Sequence, residues 1–175
     1  LQFTTGTDFD ELAEGESATV IVQYEVSDST GAKGWSEVTI TVDGVNENPS
    51  DIALSNAAVD ENSAIDTVVG ILSTTDVEDP SGTDSYTYEL VAGVGDRDNG
   101  LFKIAGASID ELQVAVAGLD FEEQETYATK DKTYSVRIKT TDPEGLSFEK
   151  VFTITLNDVA ETAQIITPSN VTIYE

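Results

Sequence analysis

Apolar and polar residues alternate with a period of two along most of the chain, which is the pattern of half-buried β-strands. Four runs carry it on their apolar positions: Val20, Val22, Tyr24 and Val26; Val38, Ile40 and Val42; Tyr134, Val136 and Ile138; Phe152, Ile154 and Leu156. Shorter strands are predicted at 67–74, 86–91 and 111–116. No segment has the apolar stripe of a helix, and Gly, Asp, Asn and Ser punctuate the runs as turn residues. The pattern predicts an all-β chain.

The end of the chain repeats its beginning at a spacing of 114 residues, the distance from Asp28 to Asp142. The pairs that agree include Gly31 and Gly145, Val45 and Val159, Glu47 and Glu161, and Glu61 and Glu175. The repeat predicts that residues 1–47 are the back half of one domain, residues 48–160 one complete domain of immunoglobulin-like size, and residues 161–175 the first strand of a third. Half a sandwich is not expected to be stable alone. Either the sequence was cut there, or the other half lies beyond an inserted domain or in another chain.

Acidic residues dominate the charge of the chain. Its 175 residues include 34 acidic and 8 basic side chains, which gives a formal net charge of −26. This charge excludes nucleic acid and an anionic membrane surface as partners, since both need a basic patch. Many carboxylates lie between predicted strands, and two of them about 4 Å apart repel by roughly 4 kcal/mol at an effective dielectric of about 20. A folded cluster of such groups needs a cation.

The chain contains no Cys, His or Met. Disulfides, zinc sites with Cys or His ligands, and Ser-His-Asp catalysis are therefore excluded. Paired carboxylates hydrolyse glycosides in some enzymes, but acids are too abundant here for a pair to be informative, so we expect no enzyme. No apolar run approaches the ~18 residues of a membrane span, so no direct membrane insertion is predicted, and no signal peptide is visible.

Carboxylates and Asn side chains recur in the predicted loops. They stand at 46–48 (Asn-Glu-Asn), Glu61, 76–79 (Asp-Val-Glu-Asp), Asp120, Glu122, Asp142, Asp158 and Glu161. Hard oxygen donors in flexible loops suit Ca²⁺, which takes six to eight oxygen ligands. The pattern predicts calcium sites, and solvated acidic loops are the alternative.

The order of these motifs resembles a cadherin repeat of the bacterial cadherin-like type over residues 48–160. The matching motifs are 60–62 (Asp-Glu-Asn), 75–79 (Thr-Asp-Val-Glu-Asp), 101–104 (Leu-Phe-Lys-Ile), 119–122 (Leu-Asp-Phe-Glu), 134–138 (Tyr-Ser-Val-Arg-Ile), Asp142 with Gly145, and 152–156 (Phe-Thr-Ile-Thr-Leu). Residues 9–17, 24–28 and 42–49 resemble the end of a VCBS-type repeat of large bacterial adhesins. The resemblance implies Greek-key, immunoglobulin-like or cadherin-like β-sandwiches in tandem, in a long RTX-type surface protein exported by type I secretion.

In cadherins calcium lies between consecutive domains, so the resemblance implies two junctions. The implied ligands at the first junction are Glu14, Glu16, Asn46, Glu47, Asn48, Asp76, Glu78 and Asp142. Those at the second junction are Glu61, Asp120, Glu122, Asp158 and Glu161. The chain departs from the family pattern at Gly44 and Glu78, where Asp is usual, and at Ala160 and Thr162, where Asn is expected. The departures at Gly44 and Glu78 predict fewer bound calcium ions or a lower calcium affinity. Because the third domain is almost wholly absent, the second site is expected to be partial.

Two further features have a functional and a structural interpretation. Trp35, the only Trp, is out of phase with Val38 and Ile40 and so faces away from the core. It is a candidate for stacking on a sugar or contacting a partner, and the alternative is a hairpin aromatic that covers a neighbouring strand. Residues 96–100 (Asp-Arg-Asp-Asn-Gly) have the spacing of a short calcium loop but lack the downstream Glu, which favours a plain turn.

These observations predict a calcium-stiffened extender of a bacterial adhesin, located outside the cell at its surface. Its partners would be the neighbouring repeats of the same long chain. Two alternatives stay open. One is a carbohydrate- or peptide-binding module that takes a polysaccharide, and the other is Ca²⁺-dependent association with another copy of the protein.

Overall fold

The structure, a computed structural model, describes residue 4 and residues 6–82, 84–122 and 132–161. Ten strands form there: β1 (Ser17–Ser27), β2 (Lys33–Asp43), β3 (Asp51–Leu54), β4 (Ala58–Asp60), β5 (Val68–Thr75), β6 (Thr87–Leu90), β7 (Phe102–Ala105), β8 (Glu111–Val114), β9 (Thr133–Thr141) and β10 (Ser147–Asn157). The only helical element among these residues is the 3-10 turn Asn99–Leu101. The prediction of an all-β chain is confirmed.

Eight strands form a sandwich of two four-stranded sheets, in the orders β3-β5-β8-β7 and β4-β10-β9-β6. The chain changes sheets between β3 and β4, and β4 then pairs with β10 in parallel, whereas β9 pairs with β10 antiparallel. Both inner faces meet in one apolar core. Its buried side chains include Ile52, Leu72, Leu112 and Val114 from the first sheet, and Tyr134, Val136, Ile138, Ile154 and Leu156 from the second.

The alternation seen in the sequence sets the core face of the long strands. In β9, Tyr134, Val136 and Ile138 are buried while the residues between them are only half-buried. Tyr134 meets Phe102 of the other sheet edge to face, with 5.7 Å between ring centroids. This contact joins the two sheets.

The strands β1 and β2 form a separate antiparallel hairpin, with Val20 opposite Ile40 and Val22 opposite Val38. The apolar residues of the two predicted runs therefore share one face, as expected. Trp35 lies on the other face, opposite Glu25, and is 71% exposed. This orientation agrees with the prediction that Trp35 points away from the core.

The described part of the chain holds no helix of the length and apolarity that a membrane crossing requires.

Candidate calcium centres at the two ends of the sandwich

One end of the sandwich gathers most of the ligands predicted for the first junction. Strand β5 ends at Thr75 opposite the start of β3, and β9 ends at Thr141 opposite the start of β10. The residues that follow, Asp76 and Asp142, therefore lie at the end where the chain enters from the hairpin. We call Asn46, Glu47, Asp76, Glu78 and Asp142 the first acidic cluster.

Direct contacts tie the entering segment to the sandwich within this cluster. The Asn46 amide Nδ2 donates to Asp142 Oδ2 at 2.9 Å. The backbone N–H of Glu47 donates to Glu78 Oε1. Pro49 is fully buried, and Ser50 N–H donates to Thr75 O at 2.8 Å. The segment between β2 and β3 is thus attached to the sandwich through two acidic side chains, a buried proline and a backbone hydrogen bond.

The carboxyl groups of the first acidic cluster carry an electrostatic strain that a cation would relieve. One oxygen of Glu47 and one of Glu78 are buried without a hydrogen-bond donor. Burial and then the Glu78 carboxylate raise the pKa of Asp76 to about 6. Hydrogen bonding to the Glu78 carboxylate, which favours the protonated form of Glu47, and then burial raise the pKa of Glu47. Burial acts to raise the pKa of Glu78 as well, but the Glu47 backbone N–H and the Asp76 carboxyl outweigh it and lower that pKa.

Two residues that the sequence did not single out belong to this neighbourhood. The charge of half-buried Asp10 contributes to raising the pKa of Glu47. The Tyr86 hydroxyl lies 3.4 Å from Asp76 Oδ2, and burial followed by the charge of Asp76 raises the pKa of that hydroxyl. Asp10 lies in a turn without strand periodicity, so only its position inside the VCBS-like motif could have indicated it.

Three of the residues predicted for the first junction are not drawn into the cluster. Glu14, Glu16 and Asn48 are exposed. Glu16 Oε2 accepts from the N–H of Ala13 in its own loop at 3.3 Å. Gly44 has a structural reason to replace the usual Asp, because a Cβ there would lie 2.3 Å from the Ala13 carbonyl oxygen.

The other end of the sandwich holds a tighter group. The loops after β4 and β8 bring Glu61, Asp120 and Glu122 together, with one oxygen of each within 4.8 Å of the others. Asp158 and Glu161 lie beside them. The charge of Asp158 contributes to raising the pKa of Glu122, and Glu161 Oε1 accepts a hydrogen bond from Asn62 Nδ2 at 2.8 Å. We call Glu61, Asp120, Glu122, Asp158 and Glu161 the second acidic cluster.

Glu61 is buried and is held in place by two backbone N–H groups in the second acidic cluster. It is 3% exposed, and its two oxygens accept from the backbone N–H groups of Val159 and Phe121, each at 2.8 Å. These two hydrogen bonds lower the pKa of Glu61. Partial desolvation of its carboxyl and then the charge of Glu61 raise the pKa of Glu122, although the residue is exposed. A buried carboxylate held by two backbone hydrogen bonds thus lies within reach of two further acids, Asp120 and Glu122.

Both clusters offer the ligands that Ca²⁺ prefers, namely carboxylate oxygens with Asn side chains nearby. The buried oxygens of Glu47 and Glu78 without donors fit a cation, since burying such groups without compensation is costly. Among the described residues, only the second acidic cluster brings three carboxylates within 4.8 Å of one another. The tighter arrangement therefore lies at the junction for which the sequence predicts the less complete site.

The remaining candidates are placed as follows. Asp98 Oδ2 accepts from Ser135 N–H at 2.6 Å, and Asn99 Oδ1 from Arg137 N–H at 2.9 Å, so residues 96–100 fix a turn against β9. This agrees with the structural interpretation of that loop. Trp35 stands on open surface with Gln23 and Glu37 beside it, and its role in binding sugar stays a prediction.

Solved structures of cadherin domains resemble the fold of this chain. No protein-family model and no curated protein matches the chain. The alignment with a solved PcdhgB3 EC1-4 structure covers 81% of this chain and 32% of that structure's chain, with 22% sequence identity and a TM-score of 0.51. The alignment with extracellular cadherin domains 3-6 of protocadherin gamma B2 covers 87% of this chain and 33% of that structure's chain, with 20% sequence identity and a TM-score of 0.50. The chain spans about a third of each structure, and it shares their cadherin-like sandwich fold.

Proposed function

We propose that this chain is a calcium-dependent extender segment of a bacterial cell-surface adhesin. The observation that carries the proposal is that acidic clusters occupy both ends of one sandwich. Strand β10 connects them, running 11 residues from beside Asp142 to Asp158. At ~3.3 Å per residue this separates the clusters by roughly 35 Å. Ions placed at both ends of a sandwich would link it to its neighbours in a line.

The residues available suit this role at each end. In the first acidic cluster, Glu47 would bind from the entering segment, and Asp76, Glu78 and Asp142 from the sandwich. In the second, Glu61, Asp120 and Glu122 would bind together with Asp158 and Glu161. A bound Ca²⁺ would supply positive charge that neutralises these carboxylates and ties the segments to the sandwich. Removing hinge freedom at each junction is what a stiff spacer requires.

The finer assignment rests on sequence motifs. We assign residues 1–47 to the end of a VCBS-type repeat and residues 48–160 to a cadherin-like repeat. Apart from Glu161, the predicted first strand of a third domain lies outside the described residues. The extracellular location is supported by the structures that share the fold, one of which consists of extracellular cadherin domains. The bacterial surface and the type I secretion route are supported by the motifs alone.

Calcium is expected to raise the melting temperature by several degrees, because carboxylates gathered from distant loops bind it only in the folded state. At a free concentration a hundred times Kd, the stabilisation is about 2.7 kcal/mol. Replacing Asp142 with Asn should weaken the effect at the first acidic cluster. The measurement is a thermal melt of each protein in excess Ca²⁺ and in chelator.

The chain offers a matched control at Asp28. Its Oδ1 accepts from Ala32 N–H at 3.0 Å, as Asp142 Oδ1 accepts from Leu146 N–H at 2.8 Å, so each residue closes the same turn. Asp142 alone of the two also contacts Asn46. Asp28→Asn should therefore lower stability without changing the calcium effect. Identical melts of the unaltered chain with and without Ca²⁺ would contradict the proposal.

Stiffening is tested by a distance distribution. Because the chain has no Cys, two engineered cysteines place one spin label on the hairpin and one on the sandwich. They are Ser29→Cys and Ala107→Cys in the same chain. Calcium should narrow the distribution of distances between them, measured by double electron–electron resonance. The pair Ala107→Cys and Ser147→Cys, both on the sandwich, should not respond. Equal widths for the first pair with and without Ca²⁺ would leave calcium without a stiffening role.

A further inference from the structure

The hairpin β1–β2 has one face without charge. Its inner positions are Ala18, Val20, Val22, Tyr24 and Val26 on β1 and Gly34, Ser36, Val38, Ile40 and Val42 on β2. The charged side chains of the two strands, Glu25, Lys33, Glu37 and Asp43, all lie on the opposite face. On the inner face Val26 is 55% exposed and Tyr24 43% exposed. An isolated two-stranded hairpin is marginally stable in water, so this face is expected to pack against another layer.

The same chain contains a second copy of this hairpin in a completed setting. Strand β10 (Ser147–Asn157) starts and ends 114 residues after β2 (Lys33–Asp43), and β9 ends 114 residues after β1. The connecting turns agree in detail. In the first turn, Asp28 Oδ1 accepts from the N–H of Ala32, and the Asp28 N–H donates to the Ala32 carbonyl oxygen. In the second turn, Asp142 and Leu146 make the same two hydrogen bonds.

In the completed copy, the inner face is covered and both edges are paired. Val136, Ile154 and Leu156, which correspond to Val22, Ile40 and Val42, are at most 1% exposed beneath the sheet β3-β5-β8-β7. The outer edge of β9 pairs with β6, and that of β10 with β4. In the described part of the chain, β1 and β2 pair only with each other.

We propose that the inner face of β1–β2 is a docking surface for one kind of partner: a β-sheet of the same repeat type as β3-β5-β8-β7. The buried interface within this chain is the template for it, residue by residue. The strand edges favour this partner over a second hairpin. A segment that carries this sheet also carries strands equivalent to β4 and β6, which pair both edges in the completed copy. Two copies of the hairpin meeting face to face would leave every strand edge open.

The test supplies that sheet to the whole chain. A copy of residues 48–114, which contain β3 to β8, is placed ahead of Leu1, and all 175 residues are kept. Hydrogen exchange of the β1 and β2 amides is compared between the extended and the unaltered chain. Work in chelator separates this inference from the calcium proposal, since it does not require an ion. We expect the hairpin amides to exchange at least a hundredfold more slowly in the extended chain.

Two substitutions on neighbouring positions of β2 make the test specific. Ile40→Glu places a charge on the inner face and should abolish the added protection. Thr39→Glu places the same charge on the outer face and should preserve it. Unchanged protection of β9 and β10 in both variants shows that the original sandwich stays folded. Lack of added protection, or equal effects of the two variants, would overturn the proposal. So would hairpin protection that rises with concentration in the unaltered chain, because a second copy would then be the occupant.

Discussion

Replacing Glu61 with Ala is expected to destabilise the sandwich even without calcium. The Glu61 carboxylate is buried and accepts from the backbone N–H groups of Phe121 and Val159. Its loss leaves both donors unsatisfied, at a cost of about 1–3 kcal/mol each. We expect the free energy of unfolding to fall by about 2–6 kcal/mol in total, which chemical denaturation in chelator measures.

The neighbouring acid provides the control. Glu122 is exposed, and partial desolvation followed by the Glu61 charge raises the pKa of its carboxyl. Glu122→Gln should leave the stability in chelator within about 0.5 kcal/mol of the unaltered chain while reducing the stabilisation by Ca²⁺. A Glu61→Ala protein as stable in chelator as the Glu122→Gln protein would show that Glu61 does not hold the loops together.

The sequence predicts the four strands with a long alternating pattern and also the shorter strands β5, β6 and β8. The runs containing Val22, Ile40, Val136 and Ile154 become β1, β2, β9 and β10, because a period of two places their apolar residues on one face. Strands β3 and β4 have four and three residues, too few for an alternation to stand out. Their position depends on pairing with β5 and β10, which are distant in sequence.

The site residues follow the same division. Asp76 and Asp142 come directly after the predicted strands β5 and β9, so the fold carries them to one end together. Glu16 and Glu14 lie in a loop whose path depends on local contacts, and the structure leaves them exposed. Asp10 reaches the neighbourhood of Glu47 through the same loop. Loop conformation depends on tertiary contacts such as the close approach of Gly44 to Ala13, and no sequence period encodes these contacts.

Calcium affinity at the first acidic cluster is expected to fall steeply below pH 6. The pKa of Asp76 is raised from 3.8 to about 6, chiefly by burial and then by Glu78. A Ca²⁺ ligand must be deprotonated, so each bound ion displaces this proton once the pH is below that value. One such proton lowers the affinity by up to tenfold per pH unit. Calorimetric titration with Ca²⁺ at pH 7.5 and pH 5 measures the change.

The stability of the metal-free protein should change in the opposite direction over the same window. Because the folded pKa of Asp76 lies above its ordinary value, the folded state binds the proton more tightly than the unfolded chain. This group therefore stabilises the metal-free protein as the pH falls from about 6 to about 4, where calcium binding weakens. Glu61 has a lowered pKa and adds its own loss of stability only at more acidic pH. Asp76→Asn should remove both responses near pH 6. Calcium affinity that stays constant from pH 7.5 to pH 5 would contradict a role for Asp76 as a ligand.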